Sequence, residues 1–134
     1  MRDFEEIAAR VCQRPGMFVG CESFAAVAAY LHGFDAGRDH GPLMGFHPWM
    51  VLRKQAGHNV AWEQLVLHDA IGPMPGKDIS DLSPEQDRQC IQKLGELLAA
   101  FFEERRRRFV TGILHEYGEW LLRQDWYDGE LRSR

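Results

Sequence analysis

Arg14-Pro15-Gly16-Met17-Phe18-Val19-Gly20 lies between two stretches of helical periodicity and decides how they meet. Pro15 removes a backbone donor, and Gly16 and Gly20 admit backbone angles that other residues avoid. The segment therefore interrupts the helical pattern. Met17, Phe18 and Val19 are apolar, so the expectation is a turn tucked against a core, with the Phe18 ring largely buried.

The flanks read as helices. Residues 3–13 carry Phe4, Ile7, Ala8 and Val11 on one face, with Asp3 as the expected N-cap. Ser23 caps a second helix with Phe24, Val27, Ala28 and Leu31 on one side, ending near Gly33 and Gly37. Residues 38–45 read as a loop. A third helix starts at Phe46 or His47, with Pro48 in its first turn and Gly57 as its expected C-terminal cap. Asn59 is the expected cap of a fourth, which holds Trp62, Leu65 and Val66. Gly72-Pro73-Met74-Pro75-Gly76 then breaks any regular element, predicting a loop over 72–82 long enough for a binding role.

Ser83-Pro84-Glu85-Gln86 is the clearest helix start: a serine cap, proline at the first helical position and a glutamine that reaches back. Ile91, Leu94, Leu98 and Phe101 follow at helical spacing, and Phe109, Ile113, Tyr117, Trp120 and Leu121 mark the last helical stretch. Between them sit Arg105 to Arg108. Each arginine favours helix, but their mutual repulsion weakens it, so the sequence leaves open whether 84–124 is one helix or two. No strand-like alternation is present. The expectation is an all-α, single compact domain of five or six helices over 1–134, with a short tail from 125.

The 134 residues suit one core, and 45% hydrophobic content is that of a globular chain. No apolar run approaches the ~20 residues that span a bilayer, and the N-terminus lacks the apolar stretch of a signal peptide, so the expected location is cytoplasmic. Three cysteines (Cys12, Cys21 and Cys90) fit no disulfide framework and are expected as free thiols. A net charge of −4 argues against general nucleic-acid binding. The run Arg105–Arg108 follows Glu103-Glu104 directly and reads as an ion-paired helix surface.

Candidate chemistry is sparse. Of six histidines, His115 shares a helix face with Glu119, but a zinc site needs three or four protein ligands. His40 and His47 bracket a Gly-Pro loop within reach of Asp35 or Asp39, and a histidine beside a carboxylate can act as a general base. Cys21 stands before the second helix and is the candidate reactive thiol. Gly16 to Gly20 is too short and too bulky for a phosphate loop. These residues form no catalytic constellation, and no catalytic, metal or cofactor residue is assigned. Trp126 and Tyr127 lie beyond the apolar face of the last helix, with Asp125 and Asp128 beside them. Aromatics ringed by acids suit contact with a basic protein surface.

Two resemblances follow from these residues. The RPGM segment resembles the start of the ATPase domain of the DNA gyrase B subunit, but the helix from Ser23 to Phe34 has neither the Glu nor the Asp-Asn pair of those enzymes. The segment is also similar to that of small bacterial helical proteins with an RPGM-aromatic-x-Gly motif, some of which resemble toxin-immunity proteins. The matching positions are Arg14 to Gly20, Leu31 to Phe34, Phe46 to Trp49, Trp62 with Leu65, and Phe101 with Phe102. The resemblance implies a non-enzymatic protein that binds another protein, such as a toxin, and blocks it. The alternative is a small-molecule-binding or enzymatic helical domain with its site between the RPGM segment and residues 40–49. A third reading is a homodimer, with the long helix as its dimerisation module.

Overall fold

Apolar residues at three- and four-residue spacing have one way to leave water together: helices packed face to face. The computed structural model, which describes residues 2–73 and 78–126, has that form. Among the described residues, six α-helices and one 3₁₀ turn make a single all-α domain: α1 (Arg2–Gln13), α2 (Pro15–Val19), α3 (Phe24–Gly37), α4 (Phe46–Lys54), α5 (Trp62–Ile71), the 3₁₀ turn Ile79–Asp81, and α6 (Pro84–Leu122). No strand occurs among the described residues.

The 39-residue α6 is the spine. Its start is the expected capping box: Ser83 Oγ accepts from the Gln86 backbone N–H at 3.1 Å, and Gln86 Oε1 accepts from the Ser83 N–H at 3.0 Å. Cys90, Ile91, Leu94, Leu97, Leu98, Phe101 and Phe102 are buried along it against α1, α3, α4 and α5. The aromatic centre is dense. Phe101 lies 5.2 Å from Phe46 and 5.8 Å from Trp49, and Phe102 meets Phe4 edge-on at 5.9 Å. Helices α1 and α6 approach closely at Gly95, where a Cβ would lie 3.1 Å from Cys12 Cβ.

The open question over 84–124 resolves as two helical arms that meet at a break inside α6. Phe109 has φ 62 and ψ 162 inside α6, a conformation that side chains disfavour. The four arginines thus occupy the last turn of the first arm, 84–108, where cations oppose the negative end of the helix dipole.

Several local expectations need correction. Helix α1 begins at Arg2, so Asp3 stands within its first turn and not at the position ahead of it. Helix α4 ends at Gln55, in a left-handed conformation (φ 58), and not at Gly57. The N-cap of α5 is Ala61, with no side-chain bond, and not Asn59.

The largest correction concerns the RPGM segment. It is a full helical turn. Pro15 occupies the first helical position and Gly20, at φ 80, closes the turn. Helical geometry puts residues four apart on one side, so Pro15 and Val19 face the core while Met17 and Phe18 face out, 74% and 37% exposed. Phe18 is therefore not the buried ring that an irregular turn implied.

Candidate protein-interaction surface

Of the expected contact residues, Asp125 and Trp126 are described, and Trp126 sits where the end of α6 meets the α4–α5 link. Ile113 and Trp120 are buried on the inner side of the last arm of α6. The Trp120 Nε1–H donates to Gln55 Oε1 at 2.8 Å, and Gln55 Nε2–H donates to its own helix at the Leu52 carbonyl, 2.7 Å away. Past the helix, Gln124 Nε2–H donates back to the Trp120 carbonyl at 2.8 Å. This chain of bonds fixes the backbone that carries Trp126.

Trp126 lies flat on His58, with ring centroids 3.9 Å apart and planes 15° apart, and edge-on to Trp120 at 6.0 Å. It is still 51% exposed. Its neighbour Asp125 is exposed. Tyr127 and Asp128, the other expected contact residues, lie outside the described residues. On the outer side of α6, Leu114 and Leu122 are exposed, and an open depression of about 490 Å³ is lined by Leu114, His115, Gly118, Glu119, Leu121 and Leu122. Leu114, Gly118 and Leu122 are four apart, opposite the buried Ile113 and Trp120. That spacing was visible in the sequence, but only the inward stripe was assigned.

The structure also places the other candidate groups. His115 Nε2 lies 3.1 Å from Glu119 Oε1, both exposed. His40 Nδ1 meets Asp35 Oδ2 at 3.4 Å, whereas His47 turns away and its Nε2 meets the Val60 carbonyl at 2.9 Å. Asp35, only 8% exposed, accepts the Leu43 backbone N–H at 2.7 Å, so its carboxylate shapes the 38–45 loop. From the other side, Arg105 Nη1 donates to the carbonyls of Pro42 at 2.8 Å and Met44 at 3.2 Å. The Arg105 guanidinium stacks 4.8 Å from the Phe101 ring and 5.3 Å from Phe102. Sequence reasoning missed this clamp, because nothing local marks which arginine in a run of four turns inward.

The remaining arginines of the run are paired. Arg106 meets Glu5 and Glu103, Arg107 meets Glu104, and Arg108 bridges Glu104 and Glu116. Those carboxylates hold the Arg106 and Arg108 protons more tightly than usual, while burial works the opposite way at Arg105. The run is therefore consumed within the fold.

The three thiols are free. Burial pushes the Cys12 thiol up to about 12 and the Cys90 thiol up to about 11, the latter helped by Asp87. Cys21 is exposed, two residues ahead of the α3 cap at Ser23. Among the described residues, no three His, Cys, Asp or Glu side chains gather as a metal site, and no helix is long and apolar enough to cross a membrane. The depression beside the RPGM segment is lined by Arg10, Gln13, Arg14, Met17 and Phe18, and by none of residues 40–49. The chain matches no protein-family model, no curated protein and no solved structure.

Proposed function

We propose that this protein is a non-enzymatic, immunity-type or regulatory binding protein of the bacterial cytoplasm that acts by covering a partner protein. The observation that carries this reading is Trp126. Half of its ring faces solvent, while His58 and Trp120 hold it in one orientation. A contact aromatic that is already fixed loses little freedom on binding, and tryptophan is the commonest kind of interface hot spot. Asp125, beside Trp126 in sequence and exposed, gives the contact negative charge for steering a basic partner.

Occlusion follows from such a surface. Pressed over an active or nucleic-acid-binding face, it excludes substrate without chemistry of its own. Co-expression with the product of a neighbouring toxin gene tests the reading. The toxin is expected to lose its activity at stoichiometric amounts of this protein and to regain it when Trp126 is changed to Ala. A toxin that stays fully active under an excess of the wild-type protein contradicts the proposal.

A further inference from the structure

The corner between α1 and α2 is a second surface, built from other elements and independent of the Trp126 reading. A depression of about 390 Å³ is lined by Arg10, Gln13, Arg14, Met17 and Phe18. No carboxylate lines it, which is unusual in a chain of net charge −4. Arg14 follows Arg10 by one helical turn, its backbone N–H donating to the Arg10 carbonyl at 2.8 Å. Like charges one turn apart destabilise a helix. Neither guanidinium has an ion-pair or ring partner among the described residues. By contrast, every arginine of the 105–108 run is engaged.

The apolar half of the corner is equally unspent. Met17 is 74% exposed on a helical turn pinned by buried Pro15 and by Gly20. Phe18 meets Tyr30 edge-on, with centroids 6.2 Å apart, and leaves about a third of itself, 37%, to solvent. Methionine is an adaptable contact residue because its unbranched thioether fits irregular partners. Two guanidiniums without an ion-pair partner among the described residues, beside an exposed methionine and a partly exposed phenylalanine, match a ligand carrying carboxylates next to bulky apolar side chains.

We propose that this corner docks an acidic, apolar-bearing polypeptide segment: carboxylates of the segment on Arg10 and Arg14, and an apolar side chain between Met17 and Phe18. A polypeptide fits better than a nucleic acid. Two guanidiniums make a short cationic patch, and the remaining net negative charge of the chain repels a long polyanion.

The test uses the full chain and four labelled probes in fluorescence anisotropy. These are a short peptide of glutamate with leucine and phenylalanine, its lysine counterpart, the glutamate peptide with serine at the apolar positions, and a single-stranded oligothymidylate. The glutamate–apolar peptide is expected to bind at least about tenfold more tightly than each of the others, and less tightly as salt is raised. The double variant Arg10→Gln/Arg14→Gln should weaken it about tenfold and Met17→Ala several-fold. Arg106→Gln/Arg107→Gln, an equal two-charge change on arginines paired elsewhere, should leave binding unchanged, and circular dichroism confirms that each variant is folded. The proposal is overturned if the glutamate–apolar peptide does not bind, if the lysine peptide or the oligonucleotide binds as well, or if the folded double arginine variant binds like wild type.

Discussion

The break in α6 predicts a reversal in the usual ranking of alanine and glycine. Phe109 holds φ 62 and ψ 162 within a 39-residue helix and is 69% exposed. A residue with a Cβ in that region stores about 1–3 kcal/mol of strain, which glycine does not. Glycine also raises the entropy of the unfolded chain, at a cost of about 0.5–1 kcal/mol. Phe109→Ala and Phe109→Gly both delete the ring, so its lost contacts cancel between them. The remaining difference, about 2 minus about 0.75, favours glycine by roughly 1 kcal/mol. In an unbroken helix glycine is worse than alanine by about 1 kcal/mol. At ~3–5 °C per kcal/mol for a domain of this size, Phe109→Gly should melt several degrees above Phe109→Ala. Thermal melts followed by circular dichroism decide it. A glycine variant that melts below the alanine variant refutes the break and makes α6 a straight helix.

Other outcomes follow from named contacts. Phe18→Ala should cost about 1 kcal/mol, far less than the ~3–5 kcal/mol of a core phenylalanine, because the ring is partly exposed; a core-sized loss in a thermal melt would return Phe18 to the interior. Arg105→Met should cost about 2–3 kcal/mol by stripping donors from the Pro42 and Met44 carbonyls. Arg105→Lys should be intermediate, since an ammonium does not stack flat on Phe101 and Phe102. Amide exchange across 41–44 should rise in both variants, and unchanged exchange contradicts the clamp. In native protein an alkylating reagent should label Cys21 rapidly and spare Cys12 and Cys90, whose thiols burial pushes up to about 12 and about 11; mass spectrometry showing equal labelling of all three refutes that burial.

The helices were legible where pattern and cap agreed. Ser23 with Phe24, Val27, Ala28 and Leu31, and Ser83 with Gln86, sit as their spacing implied. Caps were misread where a competing group acted first. Gln55 closes α4 through its own left-handed backbone before Gly57 is reached. Exposure was the weakest inference. Apolar identity alone does not bury a residue, and one turn of helix sends Met17 and Phe18 outward while Pro15 goes in. The inward turn of Arg105 depends on the 41–44 carbonyls, 61 to 64 residues away in sequence, which no local pattern reports. Trp126 was legible as an aromatic beyond the last apolar stripe, but its stacking on His58 was not.

That stacking leads to the most direct measurement of the central claim, the affinity of a purified partner for Trp126→Ala against wild type by isothermal titration calorimetry. The ring is 51% exposed, so its removal should leave the fold standing, with a melting temperature lowered by a few degrees at most. Binding should weaken by about 2 kcal/mol, roughly 30-fold, the loss expected of a hot-spot tryptophan. A variant that binds as tightly as wild type, or one that unfolds because the ring was a plug of the helical core, contradicts the account.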